Sequence, residues 1–230
     1  SDEDLNGSRL SDNLDQVNAK AELIGDNIFL GFDNELGEVS QYYQVLDKNL
    51  NLIGDQEGTA VFQSGTSQKD AILVSSSDGF LYYVFADLRS FIDYDIYVQK
   101  YSEAGDPVWA EPVLVVDNFL ADDKPVAAVS GENGGIVIAY NSGDFTGTKI
   151  YATGVDGSGS TNFDTALCSE DSQQEIESAI KTDEGVFIVF TDLRSGSSDI
   201  YGQLIGFDGS ILADASGFVI AGSQNDQRNS

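Results

Sequence analysis

One short pattern occurs four times along this 230-residue chain and constrains its fold more than any other feature. The clearest copies are Phe85-Ala86-Asp87-Leu88-Arg89-Ser90 followed by Asp95-Ile96-Tyr97-Val98-Gln99, and Phe190-Thr191-Asp192-Leu193-Arg194-Ser195 followed by Asp199-Ile200-Tyr201-Gly202-Gln203. Two weaker copies fall into register with these. An aromatic ends an apolar run at Phe32, Phe85, Tyr140 and Phe190, and Asp33, Asp87, Asn141 or Asp192 follows one or two residues on. A polar residue comes next at Gln41, Asp95, Lys149 and Asp199, and two positions later stands Tyr43, Tyr97, Tyr151 or Tyr201. These tyrosines are 54, 54 and 50 residues apart, a period typical of stacked supersecondary units.

Each unit reads as four short strands. A weakly apolar first strand leads through a tight turn (Asp26-Asn27, Asp78-Gly79, Gly134-Gly135, Glu184-Gly185) into a solid apolar run such as Leu81-Tyr82-Tyr83-Val84-Phe85 or Val186-Phe187-Ile188-Val189-Phe190. Glycine in such turns tolerates the positive φ of type I′ hairpins. A strand apolar at every position is covered on both faces. A β-sandwich predicts in/out alternation instead, so the pattern favours an all-β fold, a β-propeller of four-stranded antiparallel blades. The third strand carries the recurring tyrosine, and the fourth varies most, as an outer edge does. Helix propensity alone makes Asp171 to Ile180 a short helix, but the repeat register makes it an interblade loop and a first strand. The register divides the chain into an N-terminal segment 1–18, blades at 19–68, 69–123, 124–176 and 177–223, and a tail 224–230. Arg9-Leu10-Ser11-Asp12-Asn13 resembles the tail of a blade, much like Gly222 to Asp226. Overlap of the two ends to close a four-bladed ring is therefore expected, the alternative being a piece cut from a longer array.

Composition removes several function classes. The chain has no histidine and one cysteine, Cys168, so it has no Ser-His-Asp relay, imidazole metal ligand, internal disulfide or thiolate zinc cluster. With 11 Lys+Arg against 39 Asp+Glu, the net charge is −28. That charge opposes nucleic acid and anionic membranes, and no apolar run is long enough for a spanning helix. The opening Ser1-Asp2-Glu3-Asp4, without methionine, reads as a processed or trimmed product.

The repeats resemble those of secreted or cell-surface bacterial β-propeller proteins common in Bacteroidetes. Their blades run aromatic-x-Asp-x-Arg, then Asp-Ile-Tyr-x-Gln, then Asp-x-x-Gly-x-x-x-Trp. Unit two carries Asp87, Arg89, Asp95, Ile96, Tyr97, Gln99, Gly105 and Trp109; unit four follows to Gln203 and Asp208-Gly209 but has Leu212 near the tryptophan slot; units one and three depart further. The resemblance implies export to the surface or medium and assigns no reaction.

Each constellation has a structural and a functional reading. Asp87, Arg89 and Asp95, like Asp192, Arg194 and Asp199, place two carboxylates near a guanidinium, either as a clamp for an anionic sugar or as a staple across the loop between strands two and three. Where the arginine is missing, at Glu35 and Gly143, the later acid is missing too, at Gln41 and Lys149. That co-occurrence favours the staple. The four tyrosines read as blade-core packing rather than a sugar platform, because they recur at fixed register. Trp109 reads as core unless exposed, and Cys168 as a buried apolar thiol. Calcium is possible at Asp156-Gly157-Ser158-Gly159 and Asp208-Gly209-Ser210, although neither matches a twelve-residue calcium loop and a plain hairpin turn explains both. No other cofactor is implied.

Because the best-kept residues repeat, the sequence favours a non-catalytic secreted or surface-displayed module for ligand binding or adhesion, with a cell-surface glycan or protein as partner. The alternatives are a glycoside-processing propeller enzyme and a structural spacer. A ligand is expected at the central channel or on the loops Asp33–Gln41, Asp87–Asp95, Asn141–Lys149 and Asp192–Asp199 of one ring face. Ligand identity and oligomeric state are not specified.

Overall fold

The structure is a computed structural model that describes residues 15–35, 38–54 and 57–222. Seventeen strands form four antiparallel sheets. Blade 1 comprises β1 (Gln16–Ile24), β2 (Asn27–Asn34) and β3 (Ser40–Leu46), with its outer position shared by β4 (Leu52–Ile53) and β5 (Thr59–Ala60). Blade 2 comprises β6 (Gln68–Ser75), β7 (Leu81–Asp87), β8 (Asp95–Tyr101) and β9 (Val113–Val116). Blade 3 comprises β10 (Asp122–Ser130), β11 (Ile136–Asp144), β12 (Gly147–Val155) and β13 (Thr161–Ala166). Blade 4 comprises β14 (Gln174–Lys181), β15 (Val186–Asp192), β16 (Asp199–Ile205) and β17 (Phe218–Ala221). No helix among the described residues is long and apolar enough to cross a membrane.

The fold is the expected all-β propeller. Strands within each blade pair in sequence order, and the first strands pack on one another: β1 on β6, β6 on β10, β10 on β14. Three hydrophobic cores fill the seams between consecutive blades. Alternate residues of one second strand serve two seams. Tyr83 and Phe85 face blade 1, whereas Tyr82 and Val84 face blade 3. This is why β7 is apolar and buried along its length rather than alternating. The segment assigned to strand by register, β14, is a strand and not a helix.

Three sequence expectations need adjustment. The inner strands begin at Gln16, Gln68, Asp122 and Gln174, one to three residues ahead of the blade boundaries drawn from the repeat. The aromatic column is displaced by one in blade 1. Tyr97, Tyr151 and Tyr201 sit opposite Phe85, Tyr140 and Phe190, but Tyr43 sits opposite Gly31, and Phe32 faces Tyr42. Likewise Ser142, not Asn141, occupies the aspartate column opposite Lys149. The segments expected to close the ring, 1–14 and 223–230, lie outside the described residues. Among the described residues, no packing as extensive as that between consecutive blades joins blade 4 to blade 1. Leu23 and Ile180, on the inner strands of these two blades, are 63% and 58% exposed, and β15 alternates in burial where β7 does not.

Candidate functional site

The polar residues of the repeat converge on the ring face where the inner strands begin and the loops between second and third strands emerge. The expected staple is formed, but not as a triad. Arg89 donates to Asp87 Oδ2 through Nε (3.1 Å) and Nη2 (2.7 Å), and Arg194 Nη2 donates to Asp192 Oδ2 at 2.7 Å. Each guanidinium lies over the repeat tyrosine, 3.6 Å from the Tyr97 centroid and 4.0 Å from that of Tyr201. The later acids have other partners. Asp199 accepts from Ser195 Oγ at 2.6 Å, while Asp95 lies near Asp93, Asp117 and Asp123. Arginine and second acid thus vary together without touching, because both belong to one loop conformation.

The remaining assigned residues are structural in their surroundings. Tyr43, Tyr97 and Tyr201 are buried in the seam cores, and Tyr151 packs against the blade 2–3 core and stacks on Tyr140. Trp109 packs on that same core, edge-on to Tyr82. Buried Cys168 sits 3.1 Å from Arg194 Nη2, and burial raises its pKa. The two glycine turns spend their carboxylates on themselves: Asp156 Oδ1 accepts from Ser158 N and Ser160 N, and Asp208 Oδ1 from Ser210 N. Among the described residues, no three Asp, Glu or Cys side chains stand ready to hold one metal ion.

The backbone adds a feature that the sequence did not disclose. Every inner strand breaks register at the repeat aromatic of the second strand, Phe32, Phe85, Tyr140 or Phe190. An extra residue is accommodated there by a β-bulge, which re-aims side chains at strand edges. The bulged pairs are Asn18-Ala19, Asp70-Ala71, Pro125-Val126 and Ile176-Glu177. Asn18 and Asp70 adopt φ of 54° and 55°, a conformation asparagine and aspartate tolerate better than most residues. The bulge is thus constant, but its residues differ from blade to blade, and two of the four supply a carboxylate. Asp70 is half-buried and Glu177 exposed. Beside Glu177 lies a polar cleft of about 360 Å³ lined by Gln173, Gln174, Glu175, Thr191 and Ser198.

Two other places were candidates for acid–base chemistry. The carboxyls of Asp95 and Asp123 are pushed up to about 6, first by burial and, for Asp95, by neighbouring Asp117 and Asp93. They are 2% and 0% exposed, so neither can touch a substrate. A roomier cleft, about 480 Å³, lies on the opposite face around Gly131 to Gly135, where its Asp156 and Asp208 are tied up in turns.

No protein-family model matches the chain, and no curated protein matches it. Solved structures do resemble it. A thermostable family-43 glycoside hydrolase aligns with a TM-score of 0.56 at 12% identity, over 94% of this chain and 79% of that one. An ulvan lyase of polysaccharide lyase family PL25, bound to -[GlcA(1-4)Rha3S]-, gives 0.63 at 10% identity over 86% and 55%. A Hadza microbial sialidase gives 0.61 at 9% identity over 88% and 46%, so this chain spans about half the length of the lyase and the sialidase. These likenesses establish the fold. They also correct the expectation of a non-catalytic module, because the structures sharing this architecture bear the names of glycan-processing enzymes. Repetition of the best-kept residues argued for a scaffold, but a repeating scaffold is compatible with catalysis when blade-specific residues occupy its bulges.

Proposed function

We propose that this propeller is a glycan-processing enzyme acting outside the cell, with Asp70 and Glu177 as its working carboxylates. The observation that carries this reading is the bulge series: one bulge in each inner strand, with an acid in two of them, at the first residue of the pair in blade 2 and at the second in blade 4. Glycosidic bond cleavage needs one carboxyl to protonate the leaving oxygen and a second to activate water or attack the sugar. Side chains from different blades meet this need, since each is positioned by its own rigid strand. The polar cleft at Glu177, with amides and hydroxyls at Gln173, Gln174, Thr191 and Ser198, suits the hydroxyl-rich surface of a sugar. The strong negative charge favours neutral glycans over polyanionic ones.

The test is release of reducing ends from a panel of neutral and acidic polysaccharides by the unmodified protein, Asp70→Asn and Glu177→Gln. Each substitution is expected to lower the rate about 10²–10⁴-fold while leaving the melting temperature unchanged. Full activity in both variants would transfer the chemistry elsewhere. No release from any polysaccharide would end the proposal.

A further inference from the structure

The blade seams share one polar slot, and its occupants differ. The slot is formed by the first residue of the third strand's shared column and the polar residue at the start of the next blade's inner strand. At the seam of blades 1 and 2, where the column is displaced by one, it holds Ser40 and Gln68, with Gln68 N donating to Val39 O at 2.8 Å as Asp123 N does to Tyr94 O at the next seam. At the seam of blades 3 and 4 it holds Lys149 and Gln174, and Lys149 Nζ pairs with Asp171 at 2.8 Å. At the seam of blades 2 and 3 both positions are acids, Asp95 and Asp123.

That third slot gathers still more negative charge. Asp93 and Asp117 lie close to Asp95, and Asp122 Oδ1 accepts from Tyr94 N nearby. Asp123 is satisfied by Asn118, whose backbone N and side-chain Nδ2 each donate at 3.0 Å. Ser90 Oγ donates to Asp93 Oδ1 at 3.3 Å and hydrogen-bonds Asp95, which leaves one oxygen of each carboxylate over. Asp93 Oδ2 and Asp95 Oδ1 are the only buried carboxylate oxygens without a partner among the described residues, in side chains 6% and 2% exposed. The nearest arginine, Arg89, is committed to Asp87. Buried carboxylates left unpaired carry a heavy desolvation cost. Both orphan oxygens belong to carboxylates, the ligand type that a hard divalent cation takes.

We propose that the seam between blades 2 and 3 binds a calcium ion through Asp93 and Asp95, with Asp117 and Asp123 adding charge around it. The two carboxylates do not complete a coordination shell, so carbonyl and water oxygens supply the rest, as calcium accepts. The site is separate from the bulge carboxylates and does not depend on the enzymatic reading.

The experiment is thermal unfolding of the whole chain at neutral pH after chelator treatment, with calcium, magnesium or neither added, for the unmodified protein, the double variant Asp93→Asn/Asp95→Asn, and Asp156→Asn/Asp208→Asn as a turn control. Calcium should raise the melting temperature by several degrees, roughly 3–5 °C for each tenfold gain in the folded-to-unfolded ratio. The turn control should keep this response and the Asp93/Asp95 variant should lose it. Terbium luminescence sensitised by Tyr94 provides a second readout in the unmodified protein. No calcium-dependent shift, a shift surviving in the Asp93/Asp95 variant, or stabilisation by acid alone would each overturn the site; the last would assign a shared proton instead.

Discussion

Arg194→Ala tests the staple most directly. Arg194 Nη2 donates to Asp192 Oδ2 and to Ser216 O, both at 2.7 Å, and the guanidinium lies over Tyr201. Asp192 is fully buried. Burial works to raise its pKa, but hydrogen bonds from Arg194 and Ser172 and the charge of Arg194 hold it below the usual value. Removing the side chain leaves a buried carboxylate with Ser172 Oγ at 2.6 Å and Arg194 N at 2.7 Å. Loss of a charge-assisted hydrogen bond costs about 1.5–3 kcal/mol, and breaking a buried pair outright about 3–5 kcal/mol. Because two donors remain, about 2–4 kcal/mol is expected, a fall of about 4–16 °C in melting temperature for a chain this size. The pH dependence fixes the cause. A carboxylate whose folded pKa is depressed stabilises the fold above its unfolded pKa and loses that contribution as pH falls through the folded value. The gap between unmodified protein and variant should therefore be full at pH 7 and shrink as Asp192 protonates in acid. Scanning calorimetry from neutral pH into acid reads both quantities. An unchanged melting temperature, or a gap independent of pH, would refute the staple; so would full rescue by Arg194→Lys, which lacks the planar fork.

Two further expectations concern packing. A Cβ at Gly31 would lie 2.8 Å from the Tyr83 ring, so Gly31→Ala should destabilise by about 1–3 kcal/mol in urea titration, whereas Gly54→Ala meets no neighbour and is strained only by its φ of 105°. Burial raises the pKa of the Cys168 thiol, so alkylation at mildly alkaline pH should be slow in the folded protein and fast after unfolding, as read by mass spectrometry.

Much of the fold was legible because propeller blades write their packing into sequence. Tyr82 to Phe85 must be apolar on both faces to serve two seams, and that run is visible without coordinates. The displaced column in blade 1 was not, because Phe32 keeps its place opposite a tyrosine, Tyr42, while Tyr43 is turned to the other face, where Gly31 gives its space to Tyr83 across the seam. Pairing of Arg89 with Asp95 was inferred from their joint presence, yet arginine reaches the nearer Asp87, two residues away on the same strand end. The bulges left no signature. They depend on hydrogen-bond register, and the residues they expose, Asp70 and Glu177, are ordinary acids in a chain with 39 of them.

The unlike seam pairs bear on assembly. A chain of near-copies risks docking the wrong neighbours while it folds, since the apolar surfaces of its blades are interchangeable. Here Ser40 with Gln68, Asp95 with Asp123, and Lys149 with Asp171 mark successive joints, so the polar groups differ from joint to joint. Swapping blades 2 and 3 would set the Asp95 carboxylate beside Gln174 and deprive Lys149 of Asp171. Polar mismatch thus adds to apolar fit as a discriminator between right and wrong neighbours.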